Sequence, residues 1–156
     1  MTTESYREEK VAHIRAMFTS IAGKYDFINN ILSLWRDDGW RKFAASQVRV
    51  QNGGLVLDVA TGTAELARCM VRQNGVSSAV GVDICQEMLC KAREKLVNSG
   101  EGSRVKLVLA DAMELPFADN TFDGVTIGFG LRNVVDINTV FREMRRVVKP
   151  GGETGW

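Results

Sequence analysis

Four short apolar runs, alternating with stretches of helical periodicity, restrict the fold of this chain more than any other feature. They are Leu55-Val56-Leu57-Asp58-Val59-Ala60, Ala79-Val80-Gly81-Val82-Asp83, Val105-Lys106-Leu107-Val108-Leu109-Ala110-Asp111 and Phe122-Asp123-Gly124-Val125-Thr126-Ile127-Gly128-Phe129. Nearly continuous apolar texture of this kind suits strands covered on both faces in a parallel sheet. Helical spacing runs from about Ala64 to Asn74, Gln86 to Ser99 and Asp136 to Val148, and each stretch is closed by Gly or by Pro-Gly-Gly. The alternation predicts right-handed βαβ units, hence an α/β fold with a doubly wound parallel sheet.

The first third of the chain has a different texture. From Tyr6 to Ala22, Val11, Ile14, Met17, Phe18 and Ile21 recur at three- and four-residue spacing, which reads as an amphipathic helix ended by Gly23. Two further helical pieces are expected over Asp26 to Leu34 and Trp35 to Val50, with Trp35-Arg36-Asp37-Asp38-Gly39-Trp40 interrupting the pattern between them. With 156 residues in all, residues 1–50 are expected to form a helical extension or lid on a core of residues 51–156, the two together making one domain.

Charge and cysteine usage exclude several classes. Twenty basic side chains against 19 acidic ones leave a net charge of +1, which argues against nucleic acid as the main partner. Cys69, Cys85 and Cys90 lack the spacing of a zinc or redox pair, so no metal site is expected and a reducing, cytoplasmic setting fits. No stretch approaches the ~20 apolar residues that span a bilayer, and the first residues lack the apolar core of a signal peptide, so the protein is expected to be neither exported nor membrane-spanning. Peripheral contact with a membrane surface stays open.

In a doubly wound sheet, ligands bind beyond the carboxyl ends of the strands. That rule selects Asp58 and the turn Ala60-Thr61-Gly62-Thr63 after the first run, Asp83 at the end of the second, and Asp111-Ala112 at the end of the third. The small residues let backbone approach a ligand, and the helix that follows would offer its first amides to negative charge. Asp83 lies about 20 residues beyond Gly62, the spacing of an acid that binds ribose hydroxyls. A carboxylate at Asp111 could accept the exocyclic amine of adenine. Together the three acids describe a nucleoside pocket.

A dinucleotide requires Gly-x-Gly-x-x-Gly because its pyrophosphate lies against the turn, and here only Gly62 is glycine. A nucleoside without phosphates tolerates Thr and Ala at the other positions. S-adenosylmethionine is such a ligand, and Asp58 would balance its ammonium or sulfonium side.

Four stretches carry a resemblance that covers nearly the whole chain. They are Tyr25-Asp26-Phe27-Ile28-Asn29-Asn30-Ile31-Leu32-Ser33 with Trp40 downstream, Leu57 to Glu65, Leu115 to Asp123 continuing through Gly128-Phe129-Gly130-Leu131-Arg132-Asn133-Val134, and Arg146-Val147-Val148-Lys149-Pro150-Gly151-Gly152. In this order they resemble the ubiquinone/menaquinone biosynthesis C-methyltransferases, with Phe129-Gly130-Leu131-Arg132-Asn133 the most particular of the set. The resemblance implies a Rossmann-like class I fold and an S-adenosylmethionine-dependent methyltransferase that acts on a polyprenyl quinol in menaquinone or ubiquinone biosynthesis, with demethylmenaquinol favoured. It implies that Thr63, Asp83, Asp111, Ala112 and Gly128 contact S-adenosylmethionine beside Asp58 and Gly62. Arg132 and Asn133 would face the transferred methyl and the quinol ring, with Arg132 as electrostatic support for the phenolate and Asn133 positioning the ring oxygen. A membrane-presented substrate and a homo-oligomer remain open within it.

The chain departs from the family's pattern at three places. Ala64-Glu65 stands where Gly-Asp is usual, a methyl group that could crowd the methionine end of the cofactor. Asp37 stands where His is usual. The sequence also stops shortly after Lys-Pro-Gly-Gly, where the fifth strand should open, and Glu153-Thr154-Gly155-Trp156 does not look like an apolar strand. A truncated chain is therefore expected, with the fifth and later strands missing and the fourth left as an apolar edge. The alternatives are a methyltransferase of another small acceptor and a non-catalytic S-adenosylmethionine-binding fragment.

Structural roles compete with several of these assignments. Asp58 could order its turn, Asp83 could cap the helix near Gln86, Asp111 could be a loop acid, and Arg132 could pair with Asp136. Tyr25 and Asp26 could serve only the N-terminal helices. Met17, Met70, Met88, Met113 and Met144 are expected to fill core, and His13 to be exposed. Trp35, Trp40 and Phe43 beside Arg36, Arg41 and Lys42 could form a lid, a membrane-facing patch or simple packing on the sheet.

Overall fold

The computed structural model describes residues 3–21, 37–50, 53–73 and 75–155. Its elements, in chain order, are α1 (Thr3–Ile21), α2 (Asp37–Gln47), β1 (Gly54–Val59), α3 (Glu65–Val71), β2 (Val76–Asp83), α4 (Gln86–Ser99), β3 (Val105–Leu109), β4 (Phe122–Ile127), a 3₁₀ turn (Phe129–Asn133), α5 (Ile137–Val147) and β5 (Val148–Gly155). The five strands pair in parallel in the order β3-β2-β1-β4-β5. The sheet therefore grows outward from β1 in both directions, and the order reverses between β1 and β4. The helical piece expected over Asp26 to Leu34, with Tyr25, Asp26, Trp35 and Arg36, lies outside the described residues.

Strand alternation divides the core into two layers. On one face, Val56 of β1 packs with Ala45 and Val48, with Leu66, Ala67 and Met70 of α3, and with Ala92 and Leu96 of α4. On the other, Leu57 and Val59 meet Val140, Met144 and Val147 of α5, together with Met113 and Leu115 from the β3–β4 connection. Each aliphatic side chain fully buried here contributes roughly 1.5–3 kcal/mol. The amphipathic α5 begins where the Asp136 side chain accepts from the amides of Asn138 and Thr139, which satisfies two of the unpaired donors of its first turn.

A single arginine ties two of the quoted stretches together. Arg146 donates to the backbone oxygens of Leu115 (2.9 Å) and Phe117 (2.7 Å), to Asp119 (2.9 Å) and to both oxygens of Glu143 (2.8 and 2.7 Å). The Leu115 amide in turn donates to Glu143. The Leu-Pro-Phe-Ala-Asp segment thus has no regular structure of its own and is held by α5.

Several expectations need correction. A fifth strand is present: β5 pairs with β4 from Phe122↔Val148 to Thr126↔Gly155, with a register shift between Phe122 and Gly124, so β4 is interior. Its side chains are mostly exposed. Backbone ladder bonds build it, aided by the Lys149–Asp123 ion pair at 2.7 Å, and an apolar pattern would not have found it. The edges are β3 and β5. On β3 Lys106 and Leu109 are exposed, so that strand is covered only in part. The break expected over Trp35 to Trp40 is not seen in its described portion, because Asp37 to Trp40 already belong to α2, where acids suit the first turn. The helix after β1 starts at Glu65, since Ala64 sits at φ 64° in the left-handed region. Met17 is exposed, whereas Met70, Met88, Met113 and Met144 are buried and His13 is exposed.

Candidate functional site

Beyond the carboxyl ends of β1, β2, β3 and β4 lies a cleft enclosing about 1130 Å³, its open mouth included. The reversal of strand order leaves this crevice, because the connections after β1 and β4 leave to opposite faces of the sheet. Ala60 to Thr63 form its floor, with Asp83 at the end of β2 and Ile84 just beyond it, Ala110 to Met113 after β3, and Gly128, Gly130 and Asn133 after β4. Val11 and Ile14 of α1 and Arg41 of α2 close it from above. α1 is fastened beside the cleft by Arg15 Nε donating to the Ile84 oxygen (3.1 Å) and by the Thr19 hydroxyl donating to Glu87 (3.0 Å).

Close approach shapes the floor. A Cβ on Gly130 would stand 2.3 Å from the Ala60 Cβ, so glycine is required where the 3₁₀ turn crosses the β1 loop. A Cβ on Gly81 would stand 2.8 Å from Thr61 Oγ1. The bare backbone of β2 leaves room for the Thr61 side chain to turn inward. Its hydroxyl donates to Asp58 Oδ2 (2.7 Å), and the Thr126 hydroxyl of β4 donates to Asp58 Oδ1 (3.0 Å).

Asp58 is only 1% exposed. Burial raises its pKa to about 6, against the lowering effect of the Thr61 and Thr126 hydrogen bonds, with the charge of Asp83 adding to the rise. The folded chain therefore holds this proton more tightly than the unfolded one, whose Asp titrates near 3.8. Stability from this group is fully present below the unfolded value and is lost as pH rises toward about 6. At neutral pH the ionised carboxylate is a standing cost, with a ceiling of about 3 kcal/mol. Asp58→Asn removes that cost and keeps an acceptor oxygen for one hydroxyl, while the other hydroxyl must turn to accept from the new amide nitrogen. It is expected to raise urea stability by about 1–2 kcal/mol near pH 7, with the gap closing below about pH 4.5. A variant less stable than the parent at both pH values would show that the hydroxyl pair needs the carboxylate.

Asp83 uses one oxygen for each neighbouring loop. Oδ2 accepts from the Gly62 amide (2.8 Å) and Oδ1 from the Cys85 amide (2.9 Å). Burial raises its pKa, opposed by the amides of Cys85, Gly62 and Ile84. The carboxylate keeps acceptor capacity beyond these amides for a donor in the cleft. Asp83 thus joins the β1 loop to the start of α4 while facing the cleft, and the expected choice between helix anchor and ligand acid is not exclusive. Asp111 Oδ1 accepts from the Met113 amide (2.9 Å), which folds the loop after β3. Thr63 is nearly buried and accepts from Lys95 Nζ (3.2 Å).

All of Asp58, Gly62, Thr63, Asp83, Asp111, Ala112 and Gly128 lie on this one wall, and so does Asn133. The Arg132 backbone belongs to the 3₁₀ turn, while its side chain lies outside what is described. Asp136, its alternative partner, is occupied as the cap of α5, also accepting from the Thr139 hydroxyl (2.7 Å). Sequence reasoning named Thr61 only within the small-residue turn and Arg41 only within a possible lid or membrane-facing patch, and it missed the roles of Thr126 and Gly81. Thr126 could have been flagged as a polar residue inside an apolar strand; nothing in the sequence singled out Arg41 from its basic neighbours, since its approach depends on how α2 docks.

A family model described as the ubiE/COQ5 methyltransferase family matches residues 3–155. The chain belongs to that family. Over 145 residues it is 47% identical to the ubiquinone/menaquinone biosynthesis C-methyltransferase UbiE of Geobacter sulfurreducens, covering 92% of this chain and 57% of that protein. To the demethylmenaquinone methyltransferase of Desulfitobacterium hafniense it is 43% identical over 146 residues, 93% of this chain and 58% of that one. It therefore spans less than two thirds of the length of these relatives. Among solved structures, the [4+2]-cyclase SpnF has a TM-score of 0.69 at 30% identity, with 74% of this chain and 42% of that chain covered. A SAM-dependent methyltransferase from Aquifex aeolicus has a TM-score of 0.63 at 24% identity, covering 70% and 58%, which speaks to the fold alone. That a cyclase shares the architecture shows that the fold does not fix the reaction.

Where the family's pattern has Gly-Asp, Ala64 is fully buried in the core under α3 and its methyl is not part of the cleft lining, although Thr63 and Glu65 on either side of it are. The left-handed conformation costs about 1–2 kcal/mol for a non-glycine residue, and the buried methyl offsets about 0.8 kcal/mol of it. The side chain of Asp37 lies outside the described residues. Among the described residues no helix is long and apolar enough to cross a membrane, and no cluster of His, Cys, Asp and Glu could hold a metal ion.

Proposed function

We propose that the protein is an S-adenosylmethionine-dependent C-methyltransferase of a polyprenyl quinol, with a demethylmenaquinol-type ring as acceptor. One observation carries this reading: Asp58, Asp83 and Asp111 line a single cleft around a turn that lacks the Gly-x-Gly-x-x-Gly pattern, in a chain of the ubiE/COQ5 family. The fit to S-adenosylmethionine rests on that donor set. Asp83 offers carboxylate lone pairs to ribose hydroxyls, and Asp111 and Ala112 take the adenine edge. Gly62 and Thr63 receive the amino-acid tail, Asp58 faces its cationic side from below, and Gly128 leaves the sulfonium approachable.

When bound, the cofactor supplies an electrophilic methyl on a sulfonium sulfur. The chain's own task is to hold the acceptor in line with it and to keep water out. Val11, Ile14, Val134 and Val135 give the cleft an apolar rim suited to a quinol with a hydrocarbon tail. A ring carbon becomes nucleophilic once its hydroxyl loses a proton, so we assign Asn133 to the ring oxygen and Arg132 to the phenolate charge. Residues 1–50 act as the lid over a core of residues 51–156 in one domain. The chain works in the cytoplasm, and exposed Phe43 beside exposed Lys42 gives α2 a side that could rest on a membrane surface holding the substrate.

Calorimetry with S-adenosylmethionine, followed by a methylation assay on demethylmenaquinol, tests the reading. Saturable binding with label transferred to the quinol is the expected result. Transfer only to an amine, sterol or phospholipid acceptor would replace the substrate class, and the lack of any binding would overturn the reading as a whole.

A further inference from the structure

The charges of the cleft are unbalanced for the ligand proposed above. Asp58, Glu65, Asp83 and Asp111 all line it, and among the described residues Arg41 is the one basic side chain that does. S-adenosylmethionine carries a sulfonium, an ammonium and a carboxylate. The carboxylates of the wall suit the two cations and repel the third group, which needs a positive or donor-rich neighbour.

Other sources of positive charge near the tail end do not line the cleft. Lys95 approaches the turn from α4, where Nζ donates to Thr63 (3.2 Å) and to Glu65 (2.8 Å) and stays outside the cleft lining. Arg68 pairs with Glu65 (3.1 Å) and Glu101 (2.7 Å). These two cations neutralise Glu65 from behind. α3, which opens beside the turn, is a helix of seven residues, so few aligned peptide dipoles stand behind its first amides.

Position agrees with charge. α2 packs against α3 and β5, on the β1–β4–β5 half of the sheet, opposite the β2 and β3 ends that bear Asp83 and Asp111. If those two acids take the adenosine, the amino-acid tail extends toward the side from which Arg41 enters. We propose that Arg41 is a cofactor-binding residue whose guanidinium receives the carboxylate of the S-adenosylmethionine tail, so that the N-terminal helical extension contributes directly to the cofactor site. A planar fork of donors matches a carboxylate in a way a point charge does not.

The inference rests on the proposed cofactor, and paired ligands separate the two. S-adenosylhomocysteine carries the amino-acid tail, whereas 5′-methylthioadenosine shares its adenosine and sulfur without it. Calorimetry on the full chain, on Arg41→Gln and on Arg41→Lys is expected to show S-adenosylhomocysteine binding about ten-fold or more weaker in Arg41→Gln. Lysine should recover part of that loss, and 5′-methylthioadenosine should bind all three proteins within about two-fold. Equal weakening of both ligands in Arg41→Gln would mark a merely structural residue and overturn the inference. Unchanged S-adenosylhomocysteine binding would do the same. Should Arg41→Gln not fold, Arg41→Lys decides alone: loss confined to S-adenosylhomocysteine supports the contact, and loss shared by both ligands refutes it. A parent chain that binds neither ligand defeats the cofactor reading itself, and Arg41's role with it.

Discussion

Asp83→Ala is expected to weaken binding of S-adenosylhomocysteine by about 100-fold. Hydrogen bonds to a charged acceptor contribute about 1.5–3 kcal/mol each, and a ribose diol would offer two, so losing them corresponds to a hundred-fold or more. The substitution also frees the Gly62 and Cys85 amides, which Asp83 now holds at 2.8 and 2.9 Å. The turn would lose its fixed position relative to α4. Asp83→Asn separates the effects, since an amide oxygen still accepts one backbone bond while the charge is gone. Its loss should fall between parent and alanine. Calorimetric titration of the three proteins, each first shown to unfold cooperatively, measures this. Binding by Asp83→Ala within about three-fold of the parent would remove Asp83 from the cofactor site.

The largest effect on stability is expected at Phe122. Its ring is 1% exposed, meets Phe117 edge to face with centroids 5.0 Å apart, and belongs to the cluster that holds β4 and β1 against α5. Phe122→Ala should cost about 3–5 kcal/mol, from lost transfer energy plus the cavity left behind. Since domains are stable by only about 5–15 kcal/mol, the variant would be marginal at room temperature. Phe122→Leu, which keeps most of the volume, should lose much less, about 1.5 kcal/mol. Urea unfolding distinguishes the two substitutions. A small loss in the alanine variant would mean that the Leu115–Asp119 segment collapses into the space, despite its anchorage by Arg146.

Ligand binding and stability pull in opposite directions at Asp58. The same burial that raises its pKa and weakens the resting fold keeps a carboxylate beside the place where a cationic ligand would sit. A stabilised Asp58→Asn chain that binds less ligand would show this trade directly.

The alternation of apolar runs with helical periods was enough to determine a parallel α/β sheet, because strands covered on both faces and helices covered on one leave different periodicities. The acids at strand ends could be named for the same reason: position along an element is a sequence property, and so Asp58, Asp83 and Asp111 were legible before any coordinates. Three features required the tertiary structure. β5 has exposed side chains and exists because β4 offers an unpaired backbone ladder, which leaves no apolar trace in Lys149 to Gly155. The Asp58–Thr61–Thr126 cluster joins residues of β1, its loop and β4, and depends on the missing side chain of Gly81 in β2. Arg41 reaches the cleft only through the docking of α2 on α3. Periodicity reports what each segment buries, while the partner it is buried against is set by packing between segments distant in the chain.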